Sequence, residues 1–186
     1  LDNKKLIGTS RTRSLGANVR KNDNDELEFV LISEENSGMR YSWSSGKYYE
    51  ELLDPNGANT DRLNTMFKDH NRSVDSAIGV FTSTKIEGGE LVGTVKFGTG
   101  EDEQNVKRKY EEGILTDVSI GYIINAHTVE ERDGQPDLVT ITDYDVFECS
   151  AVGVGFDAGA KKRFEDEVPS ELIERLNNIE KKLMKG

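Results

Sequence analysis

Residues 77–85 (AIGVFTSTK) and 90–97 (ELVGTVKF) are two strand-like runs, and Ile86-Glu87-Gly88-Gly89 stands between them. A Gly-Gly pair there supplies the positive φ that a tight hairpin turn requires, so this stretch predicts two antiparallel strands joined directly. A hairpin needs a larger sheet to bury its apolar face, and the chain offers one. Residues 26–33 (ELEFVLIS) have the β-branched and aromatic content of a buried strand, and 39–44 (MRYSWS) alternate like a half-exposed one. Residues 114–125 and the apolar-rich run 138–154 supply two more, separated by the turn Asp133-Gly134-Gln135-Pro136. Residues 101–112 read instead as a charged helix. Its acids lie in the first turn, Lys107 to Lys109 further along and Gly113 just beyond its end, as the helix dipole and a glycine C-cap favour. A second, short helix is expected after the turn Asp54-Pro55-Asn56-Gly57, capped by Asn59 or Thr60, with Leu63 and Phe67 on one face. Many short strands with few helices predict a mixed, mostly antiparallel barrel or sandwich.

The 186 residues are enough for one domain with a hydrophobic core and an appended helix. Residues 1–25, polar and with little periodicity, read as a partly ordered N-terminal arm, 26–160 as the barrel domain, and 161–186 as a basic linker followed by an amphipathic helix. With 35 acidic against 24 basic residues the formal charge is −11, which repels phosphate backbones and argues against nucleic acid as a partner. The single cysteine, Cys149, cannot form an internal disulfide, and two histidines without a His-Glu-x-x-His spacing predict no catalytic metal and no cofactor. No stretch approaches the roughly 18 apolar residues of a membrane span. Residues 1–20 lack the apolar core of a signal peptide, so the protein is expected to be cytosolic where it is made.

Chemistry concentrates in three places. In residues 117–124 the alternation of a strand sets Val118, Ile120, Tyr122 and Ile124 on one face and Asp117, Ser119, Gly121 and Ile123 on the other. Ser119 therefore turns away from the apolar row, and Gly121, two residues on, leaves room for a substrate backbone. His70 stands in the polar stretch Asp69-His70-Asn71, where it is a general base or an exposed loop histidine; His127, at a strand end, is the weaker competitor. Glu148 lies in a strand with Val146, Ser150 and Val152 on its face, an acid among mostly apolar neighbours that needs a cation, whether an imidazolium or an arginine. Base, nucleophile and orienting carboxylate in the order His70, Ser119, Glu148 are the ingredients of acyl transfer by a serine peptidase.

The stretches Met66-Phe67-Lys68-Asp69-His70-Asn71 with Ile78-Gly79, then Gly113-Ile114-Leu115-Thr116-Asp117-Val118-Ser119-Ile120-Gly121-Tyr122, then Phe147-Glu148-Cys149-Ser150-Ala151-Val152 resemble the prohead maturation proteases of tailed bacteriophages. The resemblance covers residues 26–160 in order and spacing. It implies an assemblin-like fold, shared with herpesvirus capsid proteases, in which a β-barrel is flanked by helices, hence an α+β class with a C-terminal helix. It also implies a serine endopeptidase in the host cytoplasm, inside the procapsid, that cuts scaffold protein or a capsid-protein scaffolding segment and often itself. His70 is then the general base, Ser119 the nucleophile and Glu148 the member that orients His70. Two positions depart from the family pattern: Asn71 stands where members often carry Asp, and Gly153-Val154 where they often carry Pro-Ala.

After Lys161-Lys162-Arg163 a helix is expected from near Pro169-Ser170, with Leu172, Leu176, Ile179 and Leu183 on one stripe. That stripe suits a helix docked on its own domain or one that pairs with a partner or a second copy. A non-enzymatic scaffold or capsid-assembly factor acting through this helix is the alternative to the peptidase, and a stand-alone esterase a third reading.

Overall fold

The computed structural model describes residues 6–16, 19–33 and 36–153. Eleven strands form one sheet: β1 (Ser10–Gly16), β2 (Val19–Lys21), β3 (Leu27–Ile32), β4 (Gly38–Ser42), β5 (Lys47–Leu53), β6 (Ala58–Asn59), β7 (Thr65–Lys68), β8 (Ala77–Glu87), β9 (Glu90–Phe97), β10 (Asp117–Glu130) and β11 (Asp137–Val152). One α-helix, α1 (Glu101–Glu111), lies among the described residues. The main path of the sheet runs β1-β10-β11-β7-β8-β9-β3-β2. The fold is mostly β, and no helix of the described residues is long and apolar enough to cross a membrane.

Sixteen residues long, β11 organises this sheet. One edge pairs antiparallel with β10 over nearly its whole length, from Leu138 to Val152. Its other edge accepts three short strands in succession, all parallel: β5 against 137–141, β6 against 144–145 and β7 against 149–151. Their apolar faces meet in one core that includes Phe29, Tyr49, Leu53, Met66, Val118, Ile120, Tyr122, Val146 and Cys149. Helix α1 covers one side of it, Tyr110 meeting Phe29 edge-on at 5.0 Å between ring centroids.

The glycine hairpin forms as expected between β8 and β9, with Gly88 and Gly89 at φ 61° and 83°. Helix α1 ends before Gly113, at φ 70°. Elsewhere tertiary pairing overrides local pattern. No helix forms over 59–67: residues 58–59 are β6, and Thr65–Lys68 are β7, whose backbone finds partners on the free edge of β11. The spacing of Leu63 and Phe67 imitates a helical face, whereas buried Met66 between half-buried Thr65 and Phe67 shows the period of two. Gly57 is required for a different reason from positive φ: a Cβ there would lie 2.2 Å from the carbonyl oxygen of Thr142, so the chain after Pro55 can cross β11 only without a side chain. Within the segment expected as a partly ordered arm, residues 10–16 and 19–21 are strands, β1 pairing with β10. The C-terminal linker and helix lie outside the described residues.

The polar composition of β1 concealed its role. Arg13 is buried because it donates to Glu51 Oε1 at 2.8 Å, and Arg11 donates to Glu51 Oε2 at 2.6 Å. Arg40 of β4 reaches the same carboxylate at 3.2 Å and donates to the Thr12 carbonyl at 2.8 Å, so this fully buried acid ties β1, β4 and β5 together, with the Tyr122 hydroxyl also donating to it at 2.5 Å. Burial by itself would raise the Glu51 carboxyl; Arg40, Arg13, Arg11 and the Tyr122 hydroxyl outweigh it and hold the group below its ordinary value.

A carboxyl depressed in the folded state stabilises above its unfolded pKa and loses that contribution as pH falls. Stability is therefore expected to decline from about pH 4.5 downward, the ordinary value for this group. Glu51→Gln, measured by urea unfolding, should cost about 3–5 kcal/mol at pH 7 and flatten that acid decline. In the same assay Gly57→Ala should lower the free energy of unfolding by about 1–3 kcal/mol, because the atom it meets is backbone and cannot give way cheaply.

Candidate active site

Residues opposite one another in an antiparallel pair share a face of the sheet. In the β10–β11 register Val118 faces Ala151, Ile120 faces Cys149 and Tyr122 faces Val146, and these build the core. Ser119 faces Ser150 and Gly121 faces Glu148, and these four share the opposite face. A bulge between Gly121 and Tyr122 leaves Phe147 without an opposite residue and reverses the alternation of β11 at that point. Glu148 was expected on the face of Val146. The bulge instead sends Val146 into the core and places Glu148 beside Ser119 and Ser150.

His70 arrives from the other edge of β11. It follows strand β7, not a helix, in a two-residue turn closed by the Asn71 N–H donating to the Lys68 carbonyl at 2.9 Å. Both central residues have positive φ, 51° at Asp69 and 58° at His70, as a type I′ turn demands. Asp and His are among the non-glycine residues most often found there, so the sequence permits the turn, though at a cost. Two bonds to β11 hold it: Asp69 N–H donates to the Ala151 carbonyl at 2.9 Å, and His70 N–H donates to Ser150 Oγ at 3.1 Å. Asn71, where the family often has Asp, uses its side-chain oxygen to accept the Ser73 N–H at 3.2 Å, a local bond that either residue can make.

The turn delivers the imidazole to the acid: His70 Nδ1 is 3.0 Å from Glu148 Oε2, with the His70 side chain 35% exposed and that of Glu148 3%. The second carboxylate oxygen, Oε1, accepts the hydroxyl of Ser150. Gly121 makes room for the group, since a Cβ there would stand 3.0 Å from Glu148 Oε2 and 3.1 Å from the Phe147 ring. Ser119 is 1% exposed and its Oγ hydrogen-bonds to no group among the described residues. Cross-strand geometry sets its Cβ about 4.5–5.5 Å from that of Ser150, the residue that bonds both His70 and Glu148. His70, Glu148 and Ser150 are thus joined by hydrogen bonds on the face of the sheet that also carries Ser119. Ser150 has no counterpart in the sequence reading; its only signal there was its place two residues after Glu148.

The competing groups lie elsewhere or are inert. His127 stands opposite Ile141, eight residues along β10 from Ser119, roughly 25 Å for an extended strand. Its ring nitrogens are buried without partners, and burial, then Arg11, push its imidazole down. Cys149 points into the core, where burial and then the Glu148 charge push its thiol up, away from the nucleophilic thiolate. Among the described residues no cluster of three or more His, Cys, Asp or Glu is placed to hold a metal ion.

No protein-family model matches the chain, and no curated protein matches it. Among solved structures it is similar to the capsid assembly protease of bacteriophage T4, with a TM-score of 0.44 and 10% sequence identity, covering 78% of this chain and 98% of that one.

If Gly121 is the residue that admits the carboxylate, Gly121→Ala should leave the protein folded while displacing Glu148 from His70. The NMR resonance of the Nδ1 proton is the measurement, and it should weaken or vanish against an unchanged far-ultraviolet circular dichroism spectrum.

Proposed function

We propose that the chain is a serine endopeptidase of phage prohead maturation, with Ser119 as nucleophile, His70 as general base and Glu148 as the residue that orients it. The observation that carries this reading is the 3.0 Å His70–Glu148 pair on the sheet face that also bears Ser119. The order and spacing of the motifs around the three residues, which resemble those of prohead proteases, support the substrate class: a scaffold protein or capsid-protein scaffolding segment, cut inside the procapsid in the host cytoplasm.

The proposed roles imply the following steps. With Nδ1–H donated to Glu148, the imidazole lone pair is at Nε2, the nitrogen free to accept the Ser119 proton. Ser119 Oγ adds to a peptide carbonyl while Nε2 takes its proton; the imidazolium, stabilised by Glu148, then returns the proton to the leaving amine as the C–N bond breaks. Water then attacks the acyl-enzyme and gives its proton to the same nitrogen, which returns it to Ser119 Oγ as the ester C–O bond breaks and the acid leaves. Glu148 stays ionised throughout. Both of its oxygens already accept hydrogen bonds, which keeps it from swinging away as the ring becomes charged. In this structure the hydroxyl of Ser119 has yet to meet Nε2. Catalytic hydrogen bonds are often loose before substrate binds, and tighten in the complex.

A fluorophosphonate probe tests the assignment. Wild-type protein should be labelled at Ser119, Ser119→Ala should lose cleavage of its capsid or scaffold partner by about 10⁶-fold, and Glu148→Gln by about 10⁴-fold through the wrong tautomer. A folded wild-type protein that is neither labelled nor able to cleave would favour the assembly factor over the enzyme.

A further inference from the structure

We propose that Ser150 is a positioning residue that couples the backbone of His70 to the carboxylate of Glu148, making a fourth member of the proposed peptidase site. The inference rests on the reading above for its consequence in catalysis but on separate bonds for its geometry.

A serine hydroxyl has one proton to give and two lone pairs to accept with. The His70 N–H can only donate, so at that contact Ser150 Oγ accepts, at 3.1 Å. An ionised carboxylate can only accept, so the single hydroxyl proton is directed to Glu148 Oε1. Both directions are therefore fixed by chemistry, and Ser150 is fully buried, where losing either bond is costly. The two bonds have a joint effect. Glu148 has one torsional setting in which Oε1 meets Ser150 and Oε2 meets His70 Nδ1. His70 is held at φ 58°, a conformation unfavourable to it, by an amide bond to the same hydroxyl. One oxygen atom thus sets both ends of the imidazole–carboxylate contact. Ser150 also stands directly across from Ser119, so the coupling sits beside the proposed nucleophile without occupying its path.

A serine that merely fills space would be replaceable by any small residue, and two kinds of substitution separate the cases. Ser150→Ala removes the hydroxyl. Ser150→Thr and Ser150→Val add the same extra bulk and differ between themselves in the hydroxyl alone, so they carry the test even where Ala perturbs folding. The full chain is used throughout, with two readouts: the NMR resonance of the His70 Nδ1 proton, and the rate of Ser119 labelling by a fluorophosphonate. The resonance should be retained in Thr and lost or shifted in Ala and Val, and labelling should fall by up to about 100-fold in Ala and Val with recovery in Thr. An unchanged resonance in Ala and Val overturns the proposal, whatever the labelling shows. A resonance that follows the hydroxyl in a wild-type protein that is never labelled upholds the positioning role and overturns the peptidase reading instead.

Discussion

The register between β10 and β11 is the constraint on which the site depends. A strand has only two faces, and a slip of one residue would exchange them, sending Ser119 and Glu148 into the core and Ile120 and Cys149 out of it. Burial opposes that slip at every pair: Val118, Ile120, Tyr122, Val146 and Cys149 are all fully buried, and exposing even one such side chain costs about 1.5–3 kcal/mol. The hydrophobic effect thereby places a polar pair of strands' worth of chemistry without contacting it. The bulge at Phe147 completes the arrangement, since Glu148 reaches the face of Ser119 only because the alternation is broken once.

Parallel pairing on the other edge of β11 supplies the histidine. A strand parallel to β11 runs in the same direction, so β7 ends where β11 carries Ala151, and the turn that follows is forced to fold back over Ser150 and Glu148. The positive φ values of Asp69 and His70 are the cost of reversing in two residues, and the bonds to Ala151 and Ser150 offset it. Site and fold are inseparable here: the bonds that hold the turn on the sheet are the bonds that aim the imidazole.

What was legible in the sequence divides along the range of the interaction. The Gly88-Gly89 hairpin and helix α1 depend on neighbours within a few residues, and their turn and cap signals sufficed. That Ser119 lies on the face opposite Val118 and Ile120 was also legible, because alternation within a single strand is a local property. Strand β7 was read as helix because Leu63 and Phe67 have helical spacing and the competing partner, β11, lies some eighty residues away. Strand β1 falls in the segment expected to be a partly ordered arm because Arg11 and Arg13 are intelligible inside a sheet only once Glu51 of β5 is seen between them. The side of β11 on which Glu148 falls was hidden for a related reason: a bulge belongs to a pairing, and a single strand does not display it.

Freedom at the site is unevenly distributed, and this bears on how the proposed chemistry would start. The His70 backbone is clamped by adjacent amides, both oxygens of Glu148 are engaged, and Ser150 spends its only proton on the acid. Ser119 Oγ, by contrast, makes no hydrogen bond among the described residues. On the proposed reading the serine hydroxyl is the group that has still to turn toward Nε2, and rotation about χ1 between staggered wells costs far less than re-registering a strand. On that reading the acid and base are held in place before substrate arrives and the last contact is left to the smallest side chain.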